Sequence, residues 1–489
     1  MRCIVVLMSQ SSSSATTEDL GVTSTSNREP MLAGFPWVSS IILYTLSWGW
    51  SLLRPNTLYW DDWEWVFGHP PKDIWISTKL SGLAPWSRLI EWPLLLVGHW
   101  VIPLATFLGF FLTSIFVFGI LKKVLNLEIQ NLRSFVLLFL IVPVNHAKIS
   151  IIVFDYTSSY FLFFLGWLIL VRYRSFISFV FSWLVLFLSL KTHSLLFFVL
   201  LPFLHFVWLN KDEIKISKKL RVVHVQVFLI ASLPINYLLL RKLFWPPTKD
   251  WTDYHQVTSA GLRVALLPIV IGLVPLGVIA MRKGKNLSVN FGLTLLVVGF
   301  LVTALALFPY FAGDLYVGYA GRPAYLTVFE FRADWRSRHQ LLMPLGLALS
   351  VVGLNELFNW RKKNFVFVAT VALSVTLNMF WGSQYFLMSH KQEQLVELFA
   401  TTKNKIEIAS VEDDAMQFNG RGASFRSYEW NGFMTLAEIS TGRPGCEALP
   451  SGTALVLKSN TPYLKALVTR DLGLYFEAKP CSEVLPENG

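Results

Sequence analysis

Apolar runs of membrane length recur along almost the whole chain, and they restrict its fold more than any other feature. A helix of ~20 apolar residues spans the hydrocarbon core of a bilayer, where every backbone polar group must be satisfied internally. Eleven runs qualify, at residues 35–53, 93–121, 134–152, 156–171, 176–190, 194–209, 222–240, 262–281, 289–311, 341–357 and 365–381. Those between 156 and 209 are the shortest. Of 489 residues, 54% are hydrophobic and 15% charged, against about 25% charged in soluble domains. The expectation is a polytopic α-helical membrane protein of about eleven transmembrane helices.

Charge gives this bundle a direction. One set of alternate connections carries Lys122, Lys123 and Arg133; Arg172 and Arg174; Lys211, Lys215, Lys218, Lys219 and Arg221; Arg282, Lys283 and Lys285; and Arg361, Lys362 and Lys363. Only Glu128, Asp212 and Glu213 oppose them. The positive-inside rule makes that side cytoplasmic, with the N-terminus. Much of the net charge of +11 is therefore topological. Basic residues spread over short connections do not form a nucleic-acid surface.

Three regions follow. Residues 1–33 read as a disordered cytoplasmic tail, or partly as the product of a misplaced start codon, since the apolar run at 3–8 is too short for a signal-peptide core. Residues 34–382 form the bundle, with a long first extracytoplasmic loop at 54–92. Residues 383–489 read as a small extracytoplasmic α+β domain: a polar helix at 390–400, then strand-like runs at 406–410, 454–458 and 474–478. Cys446 and Cys481 both fall there, which allows a disulfide. Glu412, Asp413 and Asp414 read as a solvated acidic turn. No zinc-type Cys/His spacing, Gly-rich phosphate loop or internal repeat stands out.

The first outer loop holds the strongest chemical signal, Tyr59-Trp60-Asp61-Asp62-Trp63-Glu64-Trp65. Tryptophan and tyrosine favour the headgroup level, so carboxylates among them gain a defined depth and reduced hydration. Neighbouring like charges raise one of two pKa values, leaving one acid and one base. Asp61 and Asp62 are the candidate catalytic residues; with Glu64 they are also the candidate ligands of a divalent cation, Mg or Mn. Further along the loop, Leu83, Trp86, Leu89 and Ile90 fall at helical spacing, a helix lying in the interface with Arg88 and Glu91 on its polar side. Other outer connections hold His146, Lys148 and Asp155; Lys191-Thr192-His193; and Arg336-Ser337-Arg338-His339 before a late span. Arg336, Arg338, His339, Lys191, His193 and Arg88 are cationic donors suited to a lipid phosphate. His146 reads as a hydrogen-bonded bundle histidine, and His99 and His205 as satisfied core residues.

In these features the chain resembles the type C glycosyltransferases, membrane enzymes that take sugars from polyprenyl- or dolichyl-phosphate carriers. Their catalytic acid lies in the first external loop, often within an Asp-Asp or Asp-Glu pair, as in Tyr59-Trp60-Asp61-Asp62-Trp63. The long first loop at 66–92 is similar. So is Arg338-His339-Gln340-Leu341-Leu342-Met343-Pro344, which resembles an Arg-Tyr-x-x-x-x-Pro pattern but has His339 where Tyr is commoner. The resemblance implies an inverting transfer of a sugar from a polyprenyl-phosphate donor to an extracytoplasmic glycan, lipid or protein, with an Asp general base, in a bacterial plasma membrane. Two other readings remain. One is a transporter or flippase of lipid-linked sugars, which paired broken helices would favour. The other is an envelope-glycan ligase, polymerase or acyltransferase, in which Asp61 and Asp62 would be dispensable.

Overall fold

The computed structural model describes residues 31–68, 84, 86–124, 127–191, 193–216, 222–244, 246, 263, 266, 269–270, 287–312, 335–358, 364–402, 408–415, 425, 427–438 and 453–481. The expected span at 262–281 lies largely outside them. The described chain is mostly helical: α1 (Trp37–Trp48), α2 (Asp62–Gly68), α3 (Ser87–Val97), α4 (Val101–Val124), α5 (Ile129–Ile141), α6 (Phe154–Arg172), α7 (Phe176–Ser189), α8 (Leu200–Leu209), α9 (Val222–Ala231), α10 (Leu233–Phe244), α11 (Leu287–Ala312), α12 (Met343–Phe358) and α13 (Phe365–Thr402). Beyond these lie β1 (Ile408–Asp413), α14 (Ser427–Leu436), β2 (Thr453–Ser459), α15 (Tyr463–Thr469) and β3 (Leu474–Pro480).

Among the described residues, four helices are long and apolar enough to cross a membrane: Val101–Lys123, Ile151–Arg172, Phe291–Phe308 and Phe365–Thr401. A fifth appears if α9 and α10, bent by 56°, form one span. The runs expected at 134–152, 176–190, 194–209 and 341–357 coincide with shorter apolar helices. Large apolar side chains such as Val38, Ile42, Val368, Leu373 and Phe380 are exposed on α1 and α13, a surface suited to lipid.

Two expected spans are broken, each for a local reason. The run at 93–121 divides into α3 and α4 because Gly98 adopts a positive φ of 142°, which a side chain would disfavour. Pro93 lies inside α3, so the helix expected at the interface continues into what read as the start of a span. The run at 134–152 stays helical only to Ile141, since Val142 precedes Pro143 and takes an extended conformation. Residues 142–153 then form a buried strap with two short 3₁₀ turns. Irregular backbone buried in this way survives only where protein groups satisfy its N–H and C=O.

The closest helix pair is α11 with α12, and small residues make it possible. Gly292 and Gly299 face Gly353 and Gly346, each pair seven residues apart on its helix. A Cβ at Gly299 would stand 2.5 Å from the backbone nitrogen of Ser350. The backbones approach because nothing stands between them. This pairing fixes the turn at residues 335–340, directly before α12.

Helix α13 joins the bundle to the C-terminal domain without interruption. Its 38 residues reach about 57 Å, well beyond a hydrocarbon core of ~30 Å. The expected boundary at 382/383 thus falls inside a continuous helix. The sheet has the order β1-β2-β3, with β1 parallel and β3 antiparallel to β2. Its strands overlap the three runs expected from sequence.

The acidic turn at 412–414 is corrected. Glu412 and Asp413 belong to β1, and both Asp413 oxygens accept from Lys391 Nζ at 2.8 Å. Burial raises the Asp413 carboxyl above its ordinary range, opposed by Lys391. This ion pair ties α13 to the sheet. Glu412 and Asp414 are exposed, and Asp414 pairs with Lys458.

Cys481 is buried and disulfide-bonded; Cys3 and Cys446 lie outside the described residues. Cys481→Ser is expected to lower stability by about 2–4 kcal/mol and to abolish the mobility difference between reduced and non-reduced full-length protein in gel electrophoresis.

Candidate functional site

The Asp-Asp pair sits on a tight turn after α1. Trp60 takes a left-handed conformation at φ 51°, and the nitrogens of Asp62 and Trp63 bond to the carbonyls of Tyr59 and Trp60 at 3.1 and 3.3 Å. This turn sends the two carboxylates to different places. Asp62 is fully buried, whereas Asp61 is partly exposed. Both Asp62 oxygens are engaged: Oδ2 accepts from Tyr59 N at 3.0 Å, and Oδ1 from Ser150 Oγ at 2.6 Å and Ile152 N at 3.0 Å. Burial pushes its pKa up to about 6, while these donors pull it down.

The aromatic residues serve the protein interior. Trp60 and Trp63 are 4% and 3% exposed, which corrects the headgroup placement for both. Tyr59 and Trp60 meet the Tyr385 ring edge-on at 5.3 and 6.0 Å. Trp63 packs on Phe433 and donates to Leu58 O at 3.1 Å. Gln392 of α13 donates to the same carbonyl at 2.6 Å. The acidic turn is therefore clamped between the strap and α13. Trp92 and Trp100, at 44% and 43% exposure, remain suited to an aromatic belt.

The strap also grips the late cationic segment. Asn145 N donates to Gln340 Oε1 at 3.1 Å and Ala147 N to Ser337 Oγ at 2.8 Å. Three residues further on, Ser150 holds Asp62. One short buried segment thus joins the loop after α1 to the turn carrying Arg338, nearly three hundred residues away in the chain. Arg338 itself is partly exposed.

Lys148 occupies the same strap, its ammonium 3.2 Å from the Trp48 ring centroid and 4.5 Å from that of Phe110. Sequence reasoning noted Lys148 only as a residue at the edge of an apolar run. The signal that marks it is the polar stretch Asn145-His146-Ala147-Lys148 between two apolar runs. His146 Nε2 lies 3.2 Å from Asn378 Oδ1, as befits a bundle histidine. His205 accepts from Trp167 Nε1 at 3.0 Å.

Lys191 is elsewhere and committed. Its buried ammonium bonds to Asp155 Oδ1 at 3.1 Å and Ser158 Oγ at 2.6 Å. An ammonium closed off in this way cannot serve a phosphate, so Lys191 is corrected to a fastening between α6 and the turn after α7. The side chains of Glu64, Arg88, His193, Arg336 and His339 lie outside the described residues.

Among the described residues, no group of three or more His, Cys, Asp or Glu could hold a metal ion. Asp62 does not fit as a ligand, because backbone and hydroxyl donors occupy both its oxygens. Compared with protein-family models, curated proteins and solved structures, the chain matches none.

Proposed function

We propose that the chain is a membrane glycosyltransferase of the type C kind, moving a sugar from a polyprenyl-phosphate donor to an extracytoplasmic glycan, lipid or protein. The observation that carries this reading is the strap at 142–153, which holds Asp62 at one end and the 335–340 turn at the other. The turn that carries Asp61 and the turn that carries Arg338, so joined, suit the two halves of one displacement.

Asp61 is the general base. It takes the proton of the acceptor hydroxyl as that oxygen bonds to the anomeric carbon. The bond from that carbon to the phosphate oxygen breaks on the opposite face, and the configuration inverts. Arg338, on the turn docked to the strap, stabilises the negative charge of the departing lipid phosphate. Asp62 is a positioning residue that fixes the turn from which Asp61 projects.

In this reading the four long helices, the bent α9–α10 pair and the four shorter apolar helices supply nine of the eleven expected spans, with the N-terminus cytoplasmic. The disulfide at Cys481 agrees with a C-terminal domain in an oxidising compartment, outside a bacterial plasma membrane. The bend between α9 and α10 would favour a transporter, but among the described residues no second pair of apolar helices is bent in the same way.

The direct test supplies polyprenyl-phosphate-linked hexoses and pentoses to proteoliposomes of the full chain and follows release of polyprenyl phosphate. Arg338→Ala should lower kcat/KM by about tenfold to a hundredfold, the loss of one charge-assisted contact, and Arg338→Lys should restore part of it. No release from any of these donors would overturn the reading.

A further inference from the structure

A cavity of about 390 Å³ opens between the chain that follows α1, the outer half of α13 and the end of α14. That volume falls in the ~300–1,000 Å³ range of small-molecule sites. We propose that it is the acceptor subsite and that it takes a neutral sugar ring. This inference rests on the transfer reading above and assigns its acceptor.

The lining separates into two kinds of surface. Leu58, Trp63, Val396 and Leu436 make an apolar wall, while Arg54 and Glu393 stand with Asn56 at the polar side. Arg54 Nη1 lies 2.5 Å from Glu393 Oε1, with His390 within 3.4 Å of the same guanidinium. The pairing decides the ligand class. Glu393 neutralises Arg54, so the cavity has no net field to hold a phosphate, and Arg54 likewise discourages a cation. A lipid chain would displace water from the half-exposed charged pair and offer it no hydrogen bond in return. A sugar offers what remains: C–H faces for the apolar wall, and hydroxyls that both donate to Glu393 and accept from Arg54.

Position supports the same occupant. Trp63 lines the cavity and follows Asp62 directly, so a ring bound there lies beside the turn that presents Asp61. Other groups are already spent: Gln392 bonds to Leu58 O and Ser389 to Phe386 O. Recognition thus falls to Arg54, Glu393 and Asn56, all on the open side.

The test is saturation-transfer NMR on the full chain in nanodiscs, with a panel of methyl hexopyranosides as probes and, as alternatives, an uncharged hexapeptide and glycerol phosphate. Saturation should pass to at least one glycoside and to neither alternative. Glu393→Gln should weaken that glycoside by about tenfold. Leu436→Trp fills the cavity from an exposed position and should abolish binding while the melting temperature stays unchanged. Asp61→Asn should bind the glycoside normally. Absence of glycoside binding, undiminished binding in Leu436→Trp, or preference for the peptide or the phosphate would overturn the proposal. The two readings separate cleanly: transfer retained in Asp61→Asn removes the catalytic reading, whereas loss of glycoside binding in Leu436→Trp still upholds the sugar site.

Discussion

Asp61→Asn is expected to reduce release of polyprenyl phosphate from the sugar donor by about 10²–10⁴-fold, the contribution of a positioned general base. Asparagine has nearly the shape of aspartate but cannot accept the acceptor's proton. Asp61 is partly exposed and asparagine still accepts hydrogen bonds there, so expression, membrane insertion and melting temperature should hold. The loss should fall mainly on kcat, with donor affinity retained, because the missing interaction belongs to the transition state. Transfer at the wild-type rate in this variant, in correctly inserted protein, would sink the assignment of Asp61.

Asp62→Ala should fail differently. It leaves the Ser150 hydroxyl and the backbone nitrogens of Tyr59 and Ile152 without their acceptor. Each buried donor so orphaned costs roughly 1–3 kcal/mol, and the acidic turn and the strap should loosen together. Activity then falls with thermal stability rather than apart from it.

The titration of Asp62 supplies a second readout. Its folded pKa is raised from 3.8 to about 6, so the folded protein holds this proton more tightly than the unfolded chain. Stability from that difference is complete below pH ~4 and fades as pH rises through ~6, amounting to roughly 3 kcal/mol. Asp62→Asn should flatten this part of the stability profile. A melting temperature that rises over the same interval in wild type, or a variant with the same slope, would show that Asp62 is not buried as described.

The helical class and the strands of the C-terminal domain were legible because they depend on local periodicity. The runs around β1, β2 and β3 stand out between Gly, Pro and Ser clusters, and α12 and α13 begin close to where apolar patterning begins. The break at Gly98 was less legible, since a single glycine inside an apolar run is as compatible with a close helix contact, such as that of Gly299, as with a turn. Which of the two it makes depends on the neighbour.

Charged residues were harder still. Lys191 and Arg338 look alike in sequence, each a cation at the edge of an apolar run. One is enclosed with Asp155, while the other lies on a turn docked to the strap. Pairing across dozens or hundreds of residues decides between them, and no local pattern encodes the partner. The same applies to Asp413, whose acidic neighbours suggest a solvated turn until Lys391 of α13 closes over it.

By itself, the sequence determined that the chain is built of apolar helices, that basic residues concentrate in short connections between apolar runs, and that two adjacent aspartates follow the first run. Hydrophobic burial and backbone hydrogen bonding act over a few residues, so composition and spacing carry them. Only the tertiary structure divided the aspartates. The left-handed turn at Trp60 and the donors of Ser150 and Ile152 draw Asp62 inward and leave Asp61 facing out, because a buried carboxylate is tolerable only where such donors meet it.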